Sequence, residues 1–294
     1  MKRKAGYTSF TFVIMKFSQR LALKYIRTKF KLLSAISKKK AAASAFRLFC
    51  TPQVRNRKKL PPVFKEAEQL QFELKNITVR GWRFNKGGHR RALILHGFES
   101  SVVNFDRYVR PLLRKGYEVL AFDAPAHGRS GGKQINAPLY RQTILAINER
   151  FGPVHSFMAH SFGGLAVCLA LEDISHTADT RLVLIAPATE TVSAINSFFS
   201  FLQLDPALRP EFERIIIRHS GVSAEWYSIR RAMKHIKAEV LWFHDEDDEV
   251  TPLQDVLKVK EENHPNIRFV FTKGLGHRRI YRDNKVSKAI AEFL

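Results

Sequence analysis

Cysteine is scarce: the 294 residues hold two, Cys50 and Cys168. They lie far apart, and Cys168 falls in a stretch patterned as a helix. A disulfide scaffold is therefore excluded, and a reducing compartment such as the cytoplasm is expected. No apolar run approaches the ~20 residues that a membrane-crossing helix needs. A secretory leader is not expected either. Met1-Lys-Arg-Lys4 precedes the apolar stretch Phe10-Thr-Phe-Val-Ile-Met15, but that stretch is short, Lys16 interrupts it, and no small-x-small cleavage site follows. Met15 is an alternative start that would remove the segment. Internal repeats are lacking as well, which excludes solenoids and arrays. What remains, 45% hydrophobic residues including 23 Phe, excludes a largely disordered chain.

Acidic residues are missing from one region alone. Residues 1–60 carry 17 of the 49 Lys and Arg and none of the 27 Asp and Glu. The net charge of +22 therefore resides mostly in an N-terminal arm, and the body from residue 61 is close to balanced. Between Lys16 and Phe49, Leu23, Ile26, Phe30 and Leu33 recur at helical spacing with Lys and Arg between them. This basic amphipathic pattern fits a pair of helices packed on the body with a solvated face. It also fits a helix on an anionic membrane surface, which would put the protein at the periphery of the inner membrane surface. Nucleic acid is the weaker partner, because Phe and Leu dominate the apolar positions and no nucleic-acid motif occurs. Thr51-Pro52 and Arg55–Pro62 resemble a linker.

Beyond the linker, Leu70–Leu74 and Ile77–Trp82 alternate with period two and predict a hairpin. Six short apolar runs follow, at 92–95, 119–122, 156–159, 182–185, 240–243 and 267–271. The first five each precede a turn and a helical pattern, as buried parallel strands require. The expected fold is α/β, with an eight-stranded, mostly parallel sheet, helices on both faces, and the arm as an extra helical element. Within the body (61–294) the strand spacing breaks between residues 188 and 237. This stretch is rich in helix formers and aromatics, among them Phe198, Phe199, Phe201, Trp226 and Tyr227, and is expected to form a helical lid.

The chemistry concentrates at strand ends. Ala159-His-Ser-Phe-Gly-Gly164 sets Ser161 between small residues where a strand gives way to a helix, the signature of a nucleophile elbow. The sharp turn leaves room for little or no side chain two residues before and after the serine, a need that Ala159 and Gly163 meet. A hydroxyl is a poor nucleophile at neutral pH and needs a base, which in turn needs an orienting carboxylate. Lys273-Gly-Leu-Gly-His277 supplies His277 as the base after the last strand. His244-Asp-Glu-Asp-Asp-Glu-Val-Thr-Pro252 supplies the acid: Asp245, Asp247 and Asp248 all qualify, with Asp248 preferred and Asp247 second. Clustered carboxylates also suit a divalent cation, but the spacing and glycine of a calcium loop are lacking. Backbone amides of Phe98, after His96-Gly97, and of Phe162 are the expected oxyanion donors. His96 fits a structural hydrogen-bonding role rather than that of a second base.

Taken together, Leu95-His-Gly-Phe98, Phe122–Ser130, Ala159–Gly164, His244–Pro252 and Gly274–His277 resemble the α/β-hydrolase fold family, in its esterase, lipase and serine aminopeptidase-like group. The resemblance covers residues 70–294. It implies a serine hydrolase with Ser161 as nucleophile, Asp248 as acid, His277 as base and Phe98 and Phe162 as oxyanion donors. It further implies a small-molecule ester substrate and an acyl transfer that needs no metal or organic cofactor. An apolar acyl group is suggested by the aromatic insert; a lipase or lysophospholipase recruited by the basic arm, or a peptidase of the same fold, are the alternatives. Two positions depart from the family pattern: Ala159 and Ala126 stand where relatives usually carry glycine. The loop of Ala126 is structural in relatives, so the resemblance implies scaffold roles for Asp123 and His127.

Overall fold

Alternation decides how the apolar runs fold. The computed structural model describes residues 17–294; the leader-like segment and Met15 lie outside them. Among the described residues, one sheet contains β1 (Glu68–Leu74), β2 (Ile77–Phe84), β3 (Arg90–Leu95), β4 (Tyr117–Phe122), β5 (Ser156–His160), β6 (Arg181–Ile185), β7 (Glu239–Asp245) and β8 (Ile267–Thr272). Their order is β1-β2-β4-β3-β5-β6-β7-β8. β2 runs antiparallel to both neighbours and every other pairing is parallel. In the central strands, successive side chains enter opposite layers. Leu93, Leu95, Phe157, Ala159, Leu182 and Leu184 join one core, while Ala92, Ile94, Met158, Val183 and Ile185 join the other. Continuous apolar runs are what burial on both faces demands.

The helices are α1 (Phe17–Ile36), α2 (Lys38–Phe49), α3 (Asp106–Arg114), α4 (Ala137–Phe151), α5 (Phe162–Leu171), α6 (Thr191–Leu202), α7 (Arg209–Ser220), α8 (Ile229–Ala232), α9 (Leu253–Glu261), α10 (Gly276–Arg279) and α11 (Asn284–Phe293). α4, α5 and α9 cover the first core and α3 and α11 the second. α5 is apolar on every side and almost wholly buried. The insert between β6 and β7 carries α6, α7 and α8. Its aromatics are largely committed to packing: Phe199 meets Phe212 edge to face, Phe198 packs tilted against Phe212, and Phe49 of α2 meets both Phe198 and Phe212.

The basic stretch forms two helices, broken at Ser37, whose hydroxyl caps α2 by accepting from the Lys40 amide at 3.3 Å. Ala41, Ala42 and Ala45 of α2 and Phe30 of α1 are buried in the core of the body. The segment that follows straps the β4–α4 loop: Arg55 donates to the carbonyls of Ala126 (3.1 Å) and Gly132 (2.8 Å). Among the described residues, no helix is long and apolar enough to cross a membrane.

Ala126 gives the strap loop its one conspicuous strain. Its φ is +64°, a left-handed conformation that costs an alanine ~1–2 kcal/mol. Replacing it by glycine removes that cost, while the looser unfolded chain returns part of it. Ala126→Gly should therefore raise the unfolding free energy by about 0.5–1 kcal/mol in urea denaturation. A destabilised variant would contradict this assignment.

Candidate active site

In an open parallel sheet, a crevice forms at the strand ends where the connections switch direction. Here β4 lies on one side of β3 and β5 on the other, so the switch falls between β3 and β5. Ser161 follows β5 at this point, with φ +53° and ψ −122°. The turn is pinned from three sides. The Ser161 amide donates to Ile185 O (3.1 Å), while its carbonyl accepts from Gly164 N (2.9 Å) and Ala188 N (3.0 Å). A Cβ on Gly163 would sit 2.7 Å from the His96 carbonyl oxygen, so the position two after the serine has no room for a side chain.

His277 reaches this serine from the start of α10, the short helix after β8. Its Nε2 accepts from the Ser161 hydroxyl at 3.0 Å, and its Nδ1 donates to Asp248 Oδ2 at 2.8 Å. The histidine and aspartate side chains are 9% and 0% exposed, which keeps water from competing for these bonds. Burial opposes ionisation of Asp248. The bond and charge of His277, with the amide and hydroxyl of Thr251, outweigh it and hold the carboxyl below its ordinary range. Because that carboxylate only accepts, the imidazole proton sits on Nδ1 and leaves Nε2 free to accept.

The three aspartates at and just beyond the end of β7 divide their bonds. Asp248 Oδ1 accepts from Val250 N and Thr251 N, and Oδ2 accepts from Thr251 Oγ1 and His277. Asp245 binds the approach to His277, accepting from Thr272 Oγ1, Leu275 N and Gly276 N. Asp247 accepts from Gly274 N at 3.0 Å. Thus Asp248 meets the imidazole, and the other two shape the turn that leads into α10.

The two expected oxyanion donors are the amide that follows Ser161 in the chain and the amide that follows Gly97 in the loop after β3. Phe162 N opens α5, where the first amides have no intrahelical acceptor. Phe98 N follows Gly97, at which an added Cβ would lie 3.2 Å from Ser161 Oγ. Among the described residues, neither amide has an intramolecular acceptor. His96 and His127 brace this loop. His96 donates from Nδ1 to Gly97 O (2.8 Å) and accepts at Nε2 from Ala124 N (2.9 Å). His127 donates to Pro125 O (2.9 Å) and accepts from Glu99 N (2.9 Å). Asp123 accepts from Ser101 Oγ, Val102 N and Arg129 N, a structural set of partners.

Sequence reasoning missed three supports. Thr251 gives Asp248 two of its four bonds. The Tyr140 hydroxyl donates to His96 O at 3.0 Å. His160 bonds the His277 carbonyl at 3.0 Å and packs against its ring. Only His160 carried a signal, as the residue beside the nucleophile.

The supporting imidazoles make the site acid-sensitive. Burial pushes His96 down to about 4 and His127 and His160 down to about 3. Below about pH 6.5 the unfolded chain takes up protons that the folded chain refuses, so stability falls as pH drops towards 4. The expected slope is up to about 1.4 kcal/mol per pH unit for each imidazole. Urea denaturation midpoints measured from about pH 7 to pH 4.5 check this; an unchanged midpoint would refute the neutral assignment.

Among curated proteins, no relative matches the sequence. Solved structures do. An esterase of Pyrococcus furiosus shares 22% identity with a TM-score of 0.58, over 82% of this chain and 96% of that one. The Butyrivibrio proteoclasticus protein Est1E with ferulic acid bound shares 19% (TM-score 0.60; 76% and 97%). A membrane phospholipase A, a bacterial virulence factor, shares 15% (TM-score 0.58; 94% and 97%). A model of the alpha/beta hydrolase family matches residues 92–283, well over half the sequence. The chain is a member of the alpha/beta hydrolase family.

Proposed function

We propose that the protein is a serine hydrolase that cleaves carboxylic esters through an acyl-enzyme. The observation that carries this reading is the continuous relay from Ser161 Oγ to His277 Nε2 (3.0 Å) and from His277 Nδ1 to Asp248 Oδ2 (2.8 Å). His277 takes the hydroxyl proton as Ser161 Oγ attacks the substrate carbonyl. The resulting oxyanion accepts from the amides of Phe98 and Phe162. Collapse breaks the bond to the leaving alcohol, which departs with the proton from His277. Water, deprotonated by the same imidazole, then releases the acid and restores Ser161. Asp248 stays ionised throughout and offsets the charge of the imidazolium. An ester as substrate draws support from relatives that are an esterase and a phospholipase A.

An apolar acyl group is supported by the aromatic wall beside the nucleophile more than by the insert. Phe98 and Phe162 meet edge to face at 6.1 Å, and Phe98 is 37% exposed. The insert contributes little exposed aromatic surface apart from Phe201.

In a p-nitrophenyl ester assay, Ser161→Ala should lower kcat by at least about 10³-fold and abolish labelling by a fluorophosphonate. Asp248→Asn should cost about as much, and Asp247→Asn less than about tenfold. Unchanged hydrolysis by Ser161→Ala would end the reading. Phe98→Ala keeps the backbone amide but removes the wall, so kcat/KM for hexanoate should fall about tenfold relative to acetate. Equal losses on both esters would exclude an acyl site there.

A further inference from the structure

A helix on the surface of a water-soluble body needs one apolar face, and α1 has two. The inner face, Leu23, Ile26, Phe30 and Leu33, packs on the core. The outer face carries Leu21, Tyr25, Leu32 and Ile36, which are 52%, 69%, 62% and 79% exposed. At 100° per residue these four fall within a stripe about 60° wide, on the side opposite Phe30. Ten large hydrophobic residues are exposed among the described residues, and four of them form this stripe. Chance scatter of surface apolar residues does not align them so.

The flanks identify the partner's chemistry. Exposed Lys24 and Lys31 border one side of the stripe and Lys29 the other, and Lys38, Lys39 and Lys40 follow at the start of α2. No acidic residue occurs anywhere in residues 1–60 to neutralise them. An apolar stripe between rows of ammonium groups matches a layer with hydrocarbon below and anionic groups at its surface. A nucleic acid would meet the lysines but leave the leucine and isoleucine side chains without an apolar partner. We propose that the outer face of α1 docks on an anionic lipid bilayer, seating the enzyme at its surface without crossing it.

The helix is held firmly enough to orient the body. Arg27 donates to the Phe201 carbonyl at 2.6 Å, and the Ser34 hydroxyl donates to Asp205 at 3.0 Å. Both partners belong to the insert between β6 and β7. The Phe201 ring is itself 56% exposed, so the docked helix and the insert are joined where the insert offers apolar surface.

Sedimentation with unilamellar vesicles tests the proposal. The full chain should bind phosphatidylcholine vesicles containing about one third phosphatidylglycerol at least about tenfold more tightly than pure phosphatidylcholine. Binding should weaken several-fold as salt rises from about 50 to 500 mM. The triple variant Tyr25→Ser/Leu32→Ser/Ile36→Ser changes only exposed side chains. It should lose vesicle binding by at least about tenfold while hydrolysing a water-soluble ester at the wild-type rate. Lys24→Gln/Lys29→Gln/Lys31→Gln should retain the weak binding to neutral vesicles and lose the preference for anionic ones. Failure of the wild type to sediment, or equal sedimentation of the triple serine variant, overturns the proposal. So does a dimer in light scattering that the serine variant converts to monomer, because the stripe is then a self-interface. Vesicle binding without ester hydrolysis would instead count against the catalytic reading alone.

Discussion

Ser161 holds a left-handed backbone, φ +53° and ψ −122°, at a cost on the order of 1–3 kcal/mol for an L residue. The surrounding structure has to over-determine that shape. Hydrogen bonds from the ends of β6 and from the first turn of α5 fix both its amide and its carbonyl. Gly163 keeps the His96 carbonyl close, and Gly97 brings the next loop against the serine side chain. The strain turns the hydroxyl out of the sheet and puts the first amide of α5 beside it. Everything that could act on a substrate is arranged around this one turn.

The polar network around it illustrates how burial and hydrogen bonding compete. Asp248 and Asp123 are both buried carboxylates, yet their outcomes differ. For Asp248, burial is outweighed by His277 and Thr251, and the group is held ionised more firmly than usual. For Asp123, burial wins over bonds from Arg129, Ser101 and Val102, and its affinity for a proton is raised. The difference is an imidazole that can carry positive charge against one carboxylate and only dipoles or a more distant charge against the other. The same burial keeps His96 and His127 neutral, so that each can donate at one nitrogen and accept at the other, tying the β3 loop to the β4 loop.

Alanine stands at two positions where glycine is common in this family, and the structure treats them differently. Ala159 sits buried in β5, where a methyl group fits. Ala126 occupies left-handed space, where the methyl group is the source of strain. Sequence alone presents both as the same substitution. Backbone conformation separates them.

All eight strands were legible, the first two from their alternation and the other six from short apolar runs, and the paired glycines and small residues around Ser161 declared a turn that only such residues permit. The sequence also placed His277 after the last strand. It ranked Asp248 first and Asp247 second but could not settle the choice among Asp245, Asp247 and Asp248, which are chemically alike and separated by at most three positions. That choice depends on side-chain direction in a loop closed by Thr251, Thr272 and the Gly274–Gly276 amides, contacts from two separate strand ends. Nor could periodicity reveal that α1 has one apolar face covered and another open. Local patterns of size and polarity fix which segments become strands, helices and sharp turns, because those depend on neighbours along the chain. Which carboxylate meets the imidazole, and which apolar stripe stays uncovered, depends on distant segments meeting in space, and only the tertiary structure decides that.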